Sequence, residues 1–169
     1  MNLIARLALV ISGLGAFATW LLLGPLSALG LQIWAAFITW GCFYHSGGGS
    51  SGLTKSIVGG LWGALMATIA LILINKFGGG PVVAAACVGL TVAGFILGAN
   101  IPLLAVIPAA VYGYSSTAAF ALLKTGADPL SFDVVNSPLL NIGVSMIIGG
   151  FFGYLSERIV EAIGKSATV

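Results

Sequence analysis

The chain has 169 residues, 59% of them hydrophobic and 6% charged, against roughly 25% charged in soluble domains. With a mean hydropathy of +1.14 it is read as an all-α integral membrane protein. A formal charge of +2, carried by six scattered basic and four acidic residues, excludes a nucleic-acid surface, and no stretch is polar enough for a soluble domain.

A transmembrane helix needs about 20 largely apolar residues, and six largely uncharged runs qualify: about 3–23, 26–44, 53–75, 82–98, 103–123 and 139–157. Continuous runs of this length exclude the short alternating strands of a porin. The first run follows Arg6 and is read as a helix, because 17 uninterrupted apolar residues exceed a signal-peptide core and no A-x-A site follows.

Span two carries IWAAFITWGCFY and ends at His45 in HSGGGSSG, a flexible loop by composition. Span three holds IVGGLWGAL, residues 57–65, in which Gly59, Gly60 and Gly63 strip one helix face of side chains. FGGGP, residues 77–81, links it to span four, which has its own Gly94-x-x-x-Gly98 spacing. Pro102 and Pro108 interrupt span five, and Pro108 frees the carbonyl of Leu104. The dense hydroxyl set Tyr112, Tyr114, Ser115, Ser116 and Thr117 follows. Asn136, Ser137 and Pro138 mark the start of span six, which contains IIGGFFGYL, residues 147–155.

That last stretch repeats the glycines of span three as Gly149, Gly150 and Gly153, and five of its nine residues are identical. The copies lie three spans apart, so the second enters the membrane in the opposite direction. The expectation is a single membrane domain over 1–169 made of two inverted three-helix repeats, about 1–79 and 80–169. In the middle spans AFITWGCFY lies against AVIPAAVYGY; the first spans do not align.

Small residues let membrane helices approach closely, so the glycines are read as helix-crossing positions that also crowd a narrow passage. Thr39, Trp40, Tyr112, Tyr114, Ser115, Ser116 and Thr117 are the candidates for lining a pore or binding a solute, offering hydroxyls among aromatic rings. Trp34, Trp40, Tyr44 and Trp62 also suit interfacial belts. Intramembrane charges mark proton or sodium coupling, and spans one to five carry only Arg6 and Lys55, each near a helix start. No HExxH, paired intramembrane Asp, P-loop or oriented Ser–His couple is present. One His with Cys42 and Cys87 in separate spans makes no familiar metal site. An enzyme, a metal and a cofactor are therefore not expected.

From Ile33 to Ala67 the sequence resembles a family of small bacterial inner-membrane proteins of unknown function, the YcdZ type. The likeness lies in Trp34-x-x-Phe37, in Gly47, Gly48 and Lys55 before the next helix, and in VIPAAVYGYSSTAAF, residues 106–120. It implies a bacterial inner-membrane location and no functional residues. Arg6, Lys55, Arg158 and Lys165 against Lys76 and Lys124 place both termini in the cytoplasm.

The expected function is a passive channel or facilitator for a small uncharged polar solute of the urea, short amide or ammonia type. Its partners are the lipid bilayer, that solute and further copies of itself, in a closed homo-oligomer taken as a trimer. Two other readings stay open: a non-transporting membrane subunit that binds a protein or lipid partner, and a secondary transporter with a midplane site.

Overall fold

Asn2 accepts a hydrogen bond from the Ala5 N–H at 2.8 Å and opens the first helix, the usual role of an Asn cap. A computed structural model describes residues 2–166. Residues 1 and 167–169, the ends of the domain expected over 1–169, and the side chain of Lys165 lie outside the described residues. Among the described residues six α-helices follow one another: α1 (Leu3–Leu23), α2 (Ile33–His45), α3 (Gly49–Lys76), α4 (Pro81–Gly98), α5 (Ile107–Leu123) and α6 (Pro138–Ser166). Short 3₁₀ turns at Ser27–Leu29 and Pro102–Leu104 precede α2 and α5.

Four helices, α1, α3, α4 and α6, are long and apolar enough to cross a membrane. The other two are shorter than the sequence suggests. At 1.5 Å per residue the 13 residues of α2 extend about 20 Å and the 17 of α5 about 26 Å, less than the ~30 Å hydrocarbon core. The cause is local. Gly30 sits at φ 59 and ends the first turn. Pro102 opens the second turn, and Pro108 lies in the first turn of α5. An N-terminal proline loses no helical hydrogen bond, so Pro108 starts a helix where a break inside a span was expected. The flexible loop expected after span two is also mostly helix, since α3 already begins at Gly49.

The glycines of α3 and α6 are consumed in packing. α3 meets α6 with Gly60 under Met146 and Gly150 under Ile57, where an added Cβ would lie 2.8 Å from each side chain. On α5, Ala109 and the Ala110 carbonyl fill the places where Gly59 and Gly63 would carry side chains, and Gly113 lies on the carbonyl of Gly60. On α2, the Ala36 carbonyl lies over Gly149 and the Phe43 ring over Gly153. Thus α5 packs on α3, α2 packs on α6, and α1 and α4 flank α6 and α3.

α1 and α4 leave Leu9, Trp20, Val82 and Leu90 at 60% exposure or more. Patches of that kind are not tolerated in water, whereas a bilayer is a good solvent for them. The irregular backbone is held from inside. The Asn141 amide, fully buried, donates to the carbonyls of Gly30 and Val134 at 3.1 and 2.9 Å, and the Ser145 hydroxyl accepts the Gln32 N–H at 2.9 Å. Ser137 caps α6 through Leu140 N–H at 3.4 Å.

The packing predicts unequal tolerance among glycines. Gly63→Ala and Gly149→Ala drive a methyl group into a carbonyl and are expected to lose about 1–3 kcal/mol or more. Gly89→Ala, with open space around it, is expected to match or exceed the parent. Thermal unfolding of the detergent-purified variants reads the difference.

Candidate site between two short helices

Because α2 and α5 each turn one face inward, their other faces are left to form a groove of about 620 Å³ between them. The α2 wall presents Trp34, Phe37, Ile38, Gly41, Cys42 and His45, recurring every three or four residues as one helix face does. The α5 wall presents Tyr112, Ser115, Ser116 and Ala119. The groove is aromatic and aliphatic on one side and hydroxyl-bearing on the other, and no Asp, Glu, Lys or Arg lines it.

Three details bear on what it can hold. Ser116 lines the groove, but it is 2% exposed and its hydroxyl, closed off from the open space, has no hydrogen-bond partner among the described residues, an arrangement that costs free energy. A Cβ added at Gly41 would meet nothing within 4 Å, so the middle of the groove is open. At one end the His45 and Tyr112 rings stand edge to face with centroids 6.5 Å apart. Two other crevices, about 380 Å³ beside Trp62 and Leu104 and about 520 Å³ beside Leu73, Phe77 and Leu90, have almost wholly apolar linings.

Of the seven residues proposed from sequence, Tyr112, Ser115 and Ser116 meet in the groove. The other four turn away from it. Thr39 is fully buried and donates to the Ala35 carbonyl at 3.2 Å. Thr117 is equally buried, its hydroxyl unpaired. Tyr114 reaches α4, 3.0 Å from Thr91 Oγ1; Thr91 spends its hydrogen on the Cys87 carbonyl, so Tyr114 donates. Trp40 Nε1 donates to Ser156 Oγ at 3.0 Å. Ser156 in turn donates to the Gly153 carbonyl at 2.6 Å and stands 2.8 Å from the Tyr44 hydroxyl. A serine has one hydrogen and two lone pairs, so Tyr44 is the donor and Ser156 is fully used. Trp34, Phe37, Ile38, Gly41, Cys42, His45 and Ala119 were missed as lining. The signal was the spacing of Trp34, Ile38, Gly41 and His45 along one face.

Beside the groove's His45 end, chain reversal depends on glycine. Gly47, Gly48 and Gly49 all have positive φ, and Glu157 of α6 accepts the Gly49 N–H at 2.8 Å. The carboxylate thereby caps the start of α3, where the helix dipole favours negative charge.

Fold and site together define a helical membrane protein with a neutral, one-sidedly polar groove. The chain belongs to the family of proteins of unknown function DUF1097, whose model matches residues 8–161. No curated protein and no solved structure matches it.

The two buried hydroxyls predict opposite signs. Ser156→Ala leaves the Trp40 N–H and the Tyr44 hydroxyl without their partner and is expected to cost about 1–3 kcal/mol. Thr117→Val removes a hydroxyl that has none and is expected to be neutral or stabilising. Melting temperatures in one detergent decide both.

Proposed function

We propose that the protein is a passive facilitator for small uncharged polar solutes, of the urea, short amide or ammonia type, and that the α2–α5 groove is its path. The observation that carries this is the groove's lining: the hydroxyl-bearing residues Tyr112 and Ser115 facing aromatic side chains, with no ionised carboxylate, ammonium or guanidinium. Such a lining offers substitute hydrogen bonds to a solute leaving water and gives an ion no counter-charge. The two helices that form it are also the shortest in the bundle, so the barrier beside them is thin. Glycine faces free to bind a partner would favour a scaffold. Here they are covered within the protomer.

The proposed architecture is six spans in two inverted repeats, with both termini cytoplasmic in a bacterial inner membrane. The pairings of helices support it: α3 with α5 answers α6 with α2, α3 with α4 answers α6 with α1, and α2 with α3 answers α5 with α6. A 3₁₀ turn precedes the second helix of each half. The buried residues Ala35, Ala36, Thr39, Trp40, Cys42 and Phe43 of α2 correspond, 74 positions later, to buried Ala109, Ala110, Gly113, Tyr114, Ser116 and Thr117 of α5. That register differs from the one aromatic matching suggested, since burial follows the packing face. Where α2 and α5 are too short to cross alone, residues 24–32 and 99–106 complete the span, with Leu31 and Leu104 as their buried anchors. The narrower likeness to the YcdZ type belongs to the same reading. An open groove in a thin-walled bundle is closed by further copies, taken as a trimer.

Stopped-flow light scattering on reconstituted liposomes tests the function. Urea, formamide or ammonia is expected to cross faster than in empty liposomes. Gly41→Leu, whose side chain enters open space, is expected to abolish the increment while melting at or above the parent, since Leu outranks Gly in a helix. Permeability equal to empty liposomes for urea, formamide, glycerol and ammonia would overturn the proposal.

A further inference from the structure

We infer that the loop between α5 and α6, residues 124–137, lies in the lipid interface and inserts Leu130 and Phe132 into the bilayer as an anchor. α6 fixes its depth. From Pro138 to Ser156 that helix carries no charged residue, and Glu157, its first, reaches across to cap the start of α3. At 1.5 Å per residue residues 138–156 extend about 28 Å, close to the ~30 Å hydrocarbon core. With Glu157 at one boundary, Pro138 stands at the other. α5 reaches the same level: Phe120 shares a buried cluster with Ile142 of α6, and the last residues of α5, Leu122 and Leu123, are each 81% exposed. Lys124 follows, a cation on a long stem that suits the headgroup layer. A loop joining two helix ends at the hydrocarbon boundary begins inside that layer.

The loop is tied down where it stands. The Asp128 N–H donates to the Asn136 carbonyl at 3.0 Å and draws its ends together. Val134 packs against the cluster of Leu22, Leu31 and Ala36, and its carbonyl accepts the Asn141 amide. The acidic side chains are engaged within the loop: Asp128 accepts the Leu130 N–H at 2.9 Å, and Asp133 accepts the Val135 N–H at 3.1 Å and the Asn136 amide at 2.7 Å. Irregular backbone close to hydrocarbon needs partners of this kind. Held in this way, the loop turns Leu130 and Phe132 outward, 67% and 96% exposed. A protein partner is a poor match in area. An aromatic side chain buries about 150–250 Å², so the pair falls far short of the ~800 Å² per partner of a stable interface. Lipid sets no such threshold, and apolar side chains at the edge of the acyl region gain by entering it.

Electron paramagnetic resonance of the full-length protein in phosphatidylcholine nanodiscs is the test. Cys42 and Cys87 are buried, and the signal of the labelled parent is subtracted as background. A nitroxide on Phe132→Cys is expected to collide with oxygen more often than with a water-soluble nickel chelate, at a depth of about 5–10 Å into the boundary between headgroups and acyl chains, where interfacial apolar faces lie. A nitroxide on Leu130→Cys is expected to show the same preference and to lose it when Phe132→Asp is added. Each variant is expected to melt with the parent, since both side chains stand outside the packed core. Nickel collisions dominating at either position place the loop in water and overturn the inference. Rare collisions with both reagents mean a protein cover, a second copy included, and overturn it equally. An oxygen preference at Leu130→Cys that survives Phe132→Asp removes the anchor. None of these readings depends on the groove, so this inference and the facilitator fail separately.

Discussion

Everything in this bundle depends on helices meeting at backbone distance. Gly63 lies under the Ala110 carbonyl and Gly149 under the Ala36 carbonyl, contacts that no side chain at those positions permits. In lipid, apolar side chains gain little by leaving their solvent for each other, so association comes from dispersion contact between closely apposed surfaces. Removing side chains from α3 and α6 is therefore how the protein makes its core. It also explains why the core is short of large residues: Ala35, Ala36, Ala64, Ala67, Ala109 and Ala110 are all nearly or fully buried.

The groove is a consequence of that core. A helix of 13 residues has few faces to distribute, and α2 gives Ala36 and Phe43 to α6. What remains, from Trp34 through Gly41 to His45, points toward α5. Likewise α5 gives Ala109, Ala110 and Gly113 to α3, leaving Tyr112, Ser115, Ser116 and Ala119 toward α2. Hydroxyls on α5 thus divide by angle around the helix. Ser115 is exposed along the groove, Tyr114 is spent on Thr91, and the hydroxyls of Ser116 and Thr117 are shut in.

That angular division marks where sequence reading stops being sufficient. The membrane class, the six apolar segments and the glycine crossings were legible, because hydropathy and small-residue spacing are local signals. Helix ends were legible where a strong local cue existed, as at Ser137 and Pro138. They failed where apolar residues continue through a turn: residues 26–32 carry no charge to mark a boundary, and only the φ of Gly30 and the clasp of Asn141 show that they do not continue an α-helix. Choosing functional residues by chemistry alone gathered Thr39, Trp40, Tyr114 and Thr117 with those of the groove, since composition carries no angle. Helical phase does. Trp34, Ile38, Gly41 and His45 share a face, while Thr39 and Trp40 fall on the opposite one.

Under the proposed repeat, the two walls of the groove occupy equivalent positions with unequal chemistry. Ile38 stands for Tyr112, Gly41 for Ser115, Cys42 for Ser116 and His45 for Ala119. At the closest crossings both halves keep alanine, Ala35 with Ala109 and Ala36 with Ala110, because the glycine contacts fix the distance there. No comparable constraint acts on the outward positions, and there the halves diverge: one keeps rings and open space, the other hydroxyls. A symmetric scaffold with equal walls would present the same surface to both sides of a bound molecule. Divergence along the groove turns it into a site with a polar side and an apolar side, which can orient what it holds.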